Sequence, residues 1–454
     1  MPFSHNEGKN KYFSLNLAKI YSMNFISEEQ SDEFFQFINK NIDKDASSLR
    51  LSSCGKDLGF DTTFAITQIE GRRKYKRKLN KLFNSNYTLI PDILACEQAS
   101  HQSVAAFHAS LISAEQTCLD MTAGLGIDII AMSSLCSKAI AIEMDTNRAK
   151  ILRYNASILG LSNLEVINAN SVEYISKRDE CYDVIYIDPA RRDENKKRVY
   201  GLQDCTPDIL QILPILKGKF GRLMVKCSPM LDISKTLIDF PDISTLYVIC
   251  VEGECKEILA VISAQTEQNN QLIDIKSVDL QNNGNIISKF SYYLPTHIDK
   301  QSFTHPTERP LSYAEEEDIN SCKYLYEPNA SIMKLSPWHE IQKAFPELKK
   351  IAPSSHLFIS HEYYSQFPGR VLKIDRIVDS KQERTTIIGS PLNVVVRNYP
   401  SMPDEIRKKL RLKEGNEKFL YATTLSSSKK LMILATRIRA NEADQNLKPA
   451  ESIT

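Results

Sequence analysis

No apolar run in this 454-residue chain approaches the roughly 20 residues that a membrane-spanning helix needs, which excludes a helical membrane protein. The opening stretch, MPFSHNEGKNKYFSLNLAKIYSM, has no continuous apolar block of the kind that marks a secretory signal, so a cytoplasmic protein is expected. None of the ten cysteines is paired as Cys-x-x-Cys, and the histidines show no ligand spacing. Free thiols in a reducing compartment are therefore expected, with no disulfide framework and no metal. Excess charge is missing too: 57 Lys and Arg stand against 56 Asp and Glu, so the molecule as a whole is not a general binder of polyanions. No internal repeat is visible. What remains is an ordinary globular composition, 42% apolar and 25% charged, over a length that suits about three domains.

The chemistry is concentrated in two runs. The first is Leu119-Asp120-Met121-Thr122-Ala123-Gly124-Leu125-Gly126-Ile127-Asp128. A short strand from Thr117 to Met121 precedes its glycines and an apolar helix from Ile127 to Leu135 follows them, so Gly124 and Gly126 fall at a strand-to-helix turn. Such a turn lets backbone N–H groups approach a ligand closely. A dinucleotide fingerprint wants a third glycine at the position of Ile129, and its absence argues against NAD. The next strand, Lys138 to Met144, brings Glu143 to its end, where a carboxylate can hold a ribose diol. A third strand, Leu164 to Ala169, ends in Asn168-Ala169-Asn170-Ser171, which reads equally as an adenine contact or as a polar turn.

The second run is Tyr186-Ile187-Asp188-Pro189-Ala190-Arg191-Arg192, closing a fourth strand, Tyr182 to Asp188. Pro189 biases Asp188 toward extended backbone and leaves its carboxylate and the nearby carbonyls directed at the crevice. With these motifs the chain resembles the class I S-adenosylmethionine-dependent methyltransferases. More narrowly, it resembles the bacterial members that carry a small ferredoxin-like insert and a C-terminal THUMP-like domain. LDMTAGLGID (119–128), IDPARRD (187–193), KCSPMLD (226–232), GECKEIL (253–259) and YLYEPNASIMK (324–334) carry the likeness, as do QIEGRRK (68–74), EQAS (97–100), SSHLFIS (354–360) and FPGR (367–370).

The resemblance implies an α/β fold, a Rossmann-like sheet with an N-terminal helical region and small C-terminal α+β domains. S-adenosyl-L-methionine is the implied cofactor. The implied binding residues are Glu97, Gln98, Asp120, Ala123, Gly124, Gly126, Asp128, Glu143, Met144, Asn170, Ser171 and Asp188, with Asp188, Pro189 and Arg191 at the acceptor. The expected organisation is a helical region at 1–85, the methyltransferase domain at 86–265, the ferredoxin-like domain and its connection at 286–366, and the THUMP-like domain at 367–440. Within the first region, Ser27-Glu28-Glu29-Gln30 has the form of a capping box ahead of Phe34, Phe35, Phe37 and Ile38. Gln, Asn and Gly become abundant in TEQNNQ and QNNGN, so 266–285 reads as a boundary and turns. The acidic run Glu315 to Asp318 reads as a solvated face, and the tail 441–454 as disordered.

RNA is the expected partner. Seven cations crowd Arg72 to Lys81, with smaller clusters at Arg191–Arg198 and Arg407–Lys413, and each reads either as a phosphate-binding patch or as a solvated face. An exocyclic base amine could donate its N–H groups to Asp188 and nearby carbonyls. Amino-methyltransferases of that type carry a second proline and an aromatic where Ala190 and Arg191 stand; Arg191 could stack on a base or grip a phosphate. Three alternatives stay open, one of them a protein acceptor. Lys226-Cys227-Ser228-Pro229 resembles the cysteine motif of pyrimidine C5-methyltransferases, with Cys227 as a thiolate whose pKa the adjacent Lys226 lowers. The chain could also be a non-catalytic RNA-binding or assembly factor that retains cofactor binding.

Overall fold

A computed structural model describes residues 28–191, 205–240, 242–264, 272–295, 310–415 and 417–438. These fall into two compact units. The first takes the residues up to Ile275, with Leu280–Ile287 and the end of the following strand; the second takes Lys276–Asp279, Ser288–Tyr292 and the residues from 310 onward.

The first unit opens with helix α1 (Glu28–Asn41), whose Phe34, Phe35 and Ile38 lie on one face and are buried against Ala65, Ile66 and Ile69 of α2 (Thr62–Tyr75). Asp61 caps α2 by accepting the Phe64 N–H at 2.9 Å. Ser27, the proposed cap of α1, lies outside the described residues, as does the tail 441–454. Short helices α3 (Ile93–Gln98) and α4 (Gln102–Ser110) then lead into an alternation of strands and helices: β1 (Thr117–Asp120), α5 (Ile127–Ser133), β2 (Lys138–Glu143), α6 (Thr146–Ile158), β3 (Leu164–Asn168), α7 (Ser171–Ser176), β4 (Tyr182–Ile187) and β5 (Phe220–Cys227). Apolar runs such as Ala139 to Ile142 and Val184 to Ile187 are buried on both faces, as parallel strands covered by helices require.

Strands β1 to β5 pair in parallel, with Leu119 opposite Ile140 and Ile185, and Ile185 opposite Leu223. A hairpin of β6 (Ile243–Val251) and β7 (Glu254–Ser263) turns at Glu252 and Gly253, both at positive φ, and returns β7 antiparallel beside β5. The resulting order is β6-β7-β5-β4-β1-β2-β3. The strand connections switch sides between the parallel β1 and β4, and beyond the C-terminal ends at such a switch point is where open α/β sheets form their ligand crevice.

Strands β8 (Leu272–Leu280) and β9 (Ile286–Pro295) follow, their residues divided between the two units. Here the expectation of boundary and turns is corrected. Ile273, Ile275, Val278 and Leu280 are buried on a strand, and only QNNGN forms the turn, with Gly284 at φ +92°. Composition had masked the alternation between polar neighbours; TEQNNQ lies outside the described residues.

In the second unit a seven-stranded sheet runs β11-β12-β10-β13-β16-β15-β14, built from β10 (Tyr324–Pro328), β11 (Lys349–Lys350), β12 (Phe358–Ser360), β13 (Gly369–Ile377), β14 (Asn393–Arg397), β15 (Lys418–Thr424) and β16 (Lys430–Arg437). Gly369 lies opposite Pro328 across β10 and β13, and a Cβ there would lie 2.2 Å from the neighbouring Glu327 carbonyl oxygen, so only glycine lets the strands meet. The Glu327 carboxylate is buried beneath Arg397 at 2.7 Å, the Tyr421 hydroxyl at 2.7 Å and Arg370 at 3.4 Å. Those contacts give the YLYEPN and FPGR runs a structural purpose. In the acidic run, Asp318 meets Lys349 at 2.7 Å and Glu316 meets Lys429 at 3.0 Å, both at the surface. Helix α8 (Pro403–Leu410) buries Ile406 and Leu410 and carries Arg407, Lys408 and Lys409 in its last turn. Among the described residues no helix is long and apolar enough to cross a membrane, and none of the ten cysteines forms a disulfide.

The basic run beginning at Gly71 does more than face solvent. A Cβ on Gly71 would lie 2.1 Å from Ile90 Cδ1, and Arg72 turns inward to donate to the carbonyls of Ser85, Asn86 and Thr88. Gln68 closes a two-bond clamp on the backbone of Ile90 at 2.8 and 2.9 Å, and Asn155 of α6 clamps Leu89 at 2.8 Å through both its atoms. Gln68→Ala leaves a buried N–H and a buried C=O without partners, so it is expected to lower the unfolding free energy in urea by about 3 kcal/mol. A change under about 0.5 kcal/mol would show that the clamp contributes nothing.

Candidate functional site

The turn after β1 is built by backbone hydrogen bonds. Asp120 Oδ1 accepts the Thr122 N–H at 2.9 Å, the Thr122 hydroxyl accepts the Asp188 N–H at 2.7 Å, and Ala123 donates to the Ile142 carbonyl at 3.1 Å. Gly124 and Gly126 adopt φ +55° and +84°. At Gly126 a Cβ would strike Leu152 Cδ1 at 2.2 Å. At Gly124 no protein atom lies nearer to a Cβ than the Thr122 carbonyl oxygen at 3.9 Å, so a ligand can approach the turn from that side. The Glu143 carboxylate accepts the Gly124 N–H at 2.8 Å on one oxygen and the Asp145 N–H at 2.8 Å on the other. Each oxygen keeps a lone pair for a further donor.

Met144, beside it, is 70% exposed. Asn168 donates to the carbonyls of Glu143 and Met144 at 2.8 and 3.1 Å, so its amide braces this loop. Asn170 spends its side-chain oxygen on the N–H groups of Val172 and Glu173 at the start of α7, ahead of a half-buried Ser171. With Ala169, Glu173, Tyr174, Lys177 and Arg178 it lines an open hollow of about 430 Å³. Glu97 and Gln98 are exposed at the end of α3; the Glu97 carbonyl accepts Lys78 Nζ at 2.6 Å, and burial draws that lysine down to about 8.

A chain of buried polar side chains joins the two motif runs. Lys226 Nζ, on β5, donates to Asp188 at 2.6 Å and to Ser100 Oγ at 2.9 Å. Ser100 donates to Asp128 Oδ2 at 2.5 Å, and the other Asp128 oxygen meets His108 Nδ1 at 2.9 Å. His108 Nε2 meets Glu257 of β7 at 2.5 Å. Burial alone would lower the His108 pKa, but Glu257 and Asp128 outweigh it and raise it to about 10, so the ring is an imidazolium at neutral pH. Burial likewise opposes the charge on Lys226, and Asp188, Glu257 and Asp128 restore and strengthen it. Asp128 is held below its ordinary value by His108 despite burial, whereas burial pushes Asp120 well above. At Asp188 burial raises the carboxyl and Lys226 opposes the rise; the side chain stays 32% exposed and within reach of a ligand.

The structure thus links Asp120, Ala123, Gly124, Glu143, Asp128 and Asp188 around one turn and crevice, and leaves the Glu97 and Gln98 side chains and Asn170 outside that network. Ser100 and Glu257 lay in motif runs without a role, Lys226 was read only as the cation beside Cys227, and His108 had no signal beyond a lone histidine in the apolar helix α4. The reading of Cys227 as a thiolate is corrected. Alternation along β5 sends Cys227 away from its neighbour Lys226; it is 4% exposed, its thiol points to the Val225 carbonyl, and burial pushes its pKa up. Arg191 is described through its backbone, which pairs with Cys205. Arg192 to Arg198 lie outside the described residues.

Comparison with known proteins bears on this geometry. Residues 98–204 match the family model described as conserved hypothetical protein 95, 324–368 a ferredoxin-like domain and 369–437 a THUMP domain-like family. A crystal structure named as a putative methyltransferase from Porphyromonas gingivalis W83 superposes with a TM-score of 0.75 at 25% identity, over 91% of this chain and 99% of that one. Over nearly its whole length the chain is thus similar to a structure named as a methyltransferase, and its C-terminal part matches ferredoxin-like and THUMP-like models. An uncharacterized S-adenosylmethionine-dependent methyltransferase of Mycobacterium tuberculosis is 29% identical over 138 residues, 30% of this chain and 36% of that protein. The ribosomal RNA small subunit methyltransferase D of Escherichia coli K12 is 30% identical over 76 residues, 16% of this chain and 38% of that protein. The chain therefore spans little more than a third of the curated relatives it matches. In the second unit, the ferredoxin-like and THUMP-like matches share one sheet.

The His108 clamp sets a pH dependence. Its folded value, about 10, lies above the ordinary 6.5, so its contribution to stability is complete below 6.5 and is lost as pH rises through 10. His108→Gln is expected to cost about 3 kcal/mol in urea unfolding at neutral pH, as for a broken buried ion pair, and progressively less toward about pH 10. A cost that does not change with pH would mean that the folded protein holds a neutral ring.

Proposed function

We propose that the protein is an S-adenosylmethionine-dependent methyltransferase acting on RNA, with an exocyclic base amine as acceptor. The observation that carries the reading is the placement of Asp188 and Glu143 on either side of one glycine turn, tied to it through Thr122 and Gly124. Glu143, with a lone pair left on each oxygen, suits the ribose hydroxyls, and the open approach at Gly124 suits a ligand lying over the turn. S-adenosylmethionine would supply the electrophilic methyl group. Asp188, at the C-terminal end of β4, accepts the N–H of the acceptor and orients its nitrogen; Pro189 keeps that residue extended.

Lys226 is fixed in its charged form by three carboxylates and cannot serve as a base. Transfer would break the S–CH3 bond and leave S-adenosylhomocysteine, and the acceptor nitrogen, cationic once methylated, would lose its proton to solvent. RNA as substrate is supported by the THUMP-like match, by the name of the Escherichia coli relative and by the cations Arg407, Lys408 and Lys409 on α8. The buried thiol of Cys227 speaks against pyrimidine C5 chemistry.

The test is transfer of a labelled methyl group from S-adenosylmethionine to total RNA from cells lacking the protein. Wild-type protein is expected to label RNA, and Asp188→Ala to do so at least about 100-fold more slowly. Cys227→Ser is expected to stay within about twofold of wild type, since a thiol without access to substrate does no chemistry. Cofactor binding without label in any RNA would favour a non-catalytic RNA-binding role, and loss of activity in Cys227→Ser would restore the C5 mechanism.

A further inference from the structure

The acceptor reading uses Asp188 but leaves unexplained why five further polar side chains are buried behind it. The direction of every hydrogen bond in that group follows from its chemistry. An ammonium has only donors, so Lys226 donates to both Asp188 and Ser100. Ser100 has one hydroxyl proton, and it goes to Asp128, which as a carboxylate only accepts. Both ring nitrogens of His108 face carboxylate oxygens, at 2.9 and 2.5 Å, so both are donors. No hydroxyl or ring is left free to reorient, and the chain runs without a break from β7 through α4 and α5 to β5 and β4.

A lysine stem has four rotatable carbons, and an isolated, partly exposed one samples many positions. Here the side chain of Lys226 is 15% exposed, and Asp188 and Ser100 hold two of its three N–H groups. We propose that Lys226 is a positioning residue for Asp188, and that the Ser100–Asp128–His108–Glu257 relay fixes where its ammonium sits. The inference rests on the reading of Asp188 as the acceptor-site residue and adds to it the group that fixes that carboxylate in one rotamer and in its ionised form. The other charged or titratable groups around Asp188 are Asp120 on β1, Asp128 on α5, Tyr186 on β4, Cys227 on β5 and Glu257 on β7; Lys226 and, further along the relay, His108 carry positive charge, and Lys78 faces Lys226 as another cation. Removing Lys226 takes away the cation in contact with Asp188 and leaves Asp120, Asp128 and Glu257 as its charged neighbours. Removing the His108 charge frees Asp128 and lets Ser100 and Lys226 drift.

The test reads Asp188 directly, in full-length protein labelled with carboxyl-13C aspartate, its signal assigned by its loss in Asp188→Asn. In Lys226→Met the Asp188 midpoint is expected to move up by at least about one pH unit, and Lys226→Arg to recover most of that shift. The paired variant His108→Gln with Glu257→Gln removes one cation and one anion while keeping hydrogen-bonding side chains, and it is expected to shift Asp188 the same way by a smaller amount. Binding of S-adenosylhomocysteine, measured by calorimetry, is expected to stay within about threefold of wild type in all three, which separates positioning from general damage to the crevice. An Asp188 midpoint that does not move in Lys226→Met overturns the proposal, and one that moves there but not in the paired variant overturns the relay. Affinity lost in step with the shift shows a structural role instead. If the wild type transfers no methyl group to RNA, the acceptor reading fails while the titration still decides this one.

Discussion

Three carboxylates, buried Asp128 and Glu257 and half-buried Asp188, are gathered at one end of the parallel sheet, and their closeness is tolerable only because His108 and Lys226 lie between them. An unpaired buried charge costs several kcal/mol, so neither cation can be removed without moving protons or backbone. The groups come from β4, β5, β7, α4, α5 and the residue between α3 and α4. That arrangement ties the helical segment before the sheet to the crevice it borders, and it makes the antiparallel hairpin of β6 and β7 part of the site through Glu257.

The same economy governs the local supports. Gln68 and Asn155 act as substitute strand partners for Leu89 and Ile90, a segment with no sheet neighbour of its own. Arg72 closes the loop at 85–88 by filling its carbonyls. In the second unit Glu327 performs the equivalent task under Arg370, Arg397 and Tyr421, where the ferredoxin-like and THUMP-like matches meet in one sheet. Both units thus hold their junctions with buried polar side chains that hydrogen-bond across them.

Much of the first unit was legible in sequence because its strands are apolar runs ended by chemistry-bearing residues: Asp120, Glu143 and Asp188 each stand at or just beyond a strand end. The glycine turn was legible because positive φ and close approach leave few other residues possible. The strand at 272–280 was obscured by the polar flanks around an alternating core. Cys227 was misread because adjacency to Lys226 in sequence means opposite faces in a strand. His108 was invisible: its role depends on Asp128 twenty residues away and Glu257 a hundred and forty-nine away, a pairing that only the fold creates. Arg72 illustrates the same limit, since a cation in a basic run looks alike whether it faces solvent or closes a loop.

The central claim is that the crevice beyond β1, β2 and β4 is a cofactor site organised by Glu143 and bordered by Asp188. The most direct measurement is a crystal structure of the protein with S-adenosylhomocysteine. The account predicts the ribose hydroxyls on the Glu143 carboxylate, the ligand lying over Gly124, and Lys226 still bound to Asp188. A ligand seated elsewhere, or a Glu143 carboxylate that makes no contact with it, would contradict the account.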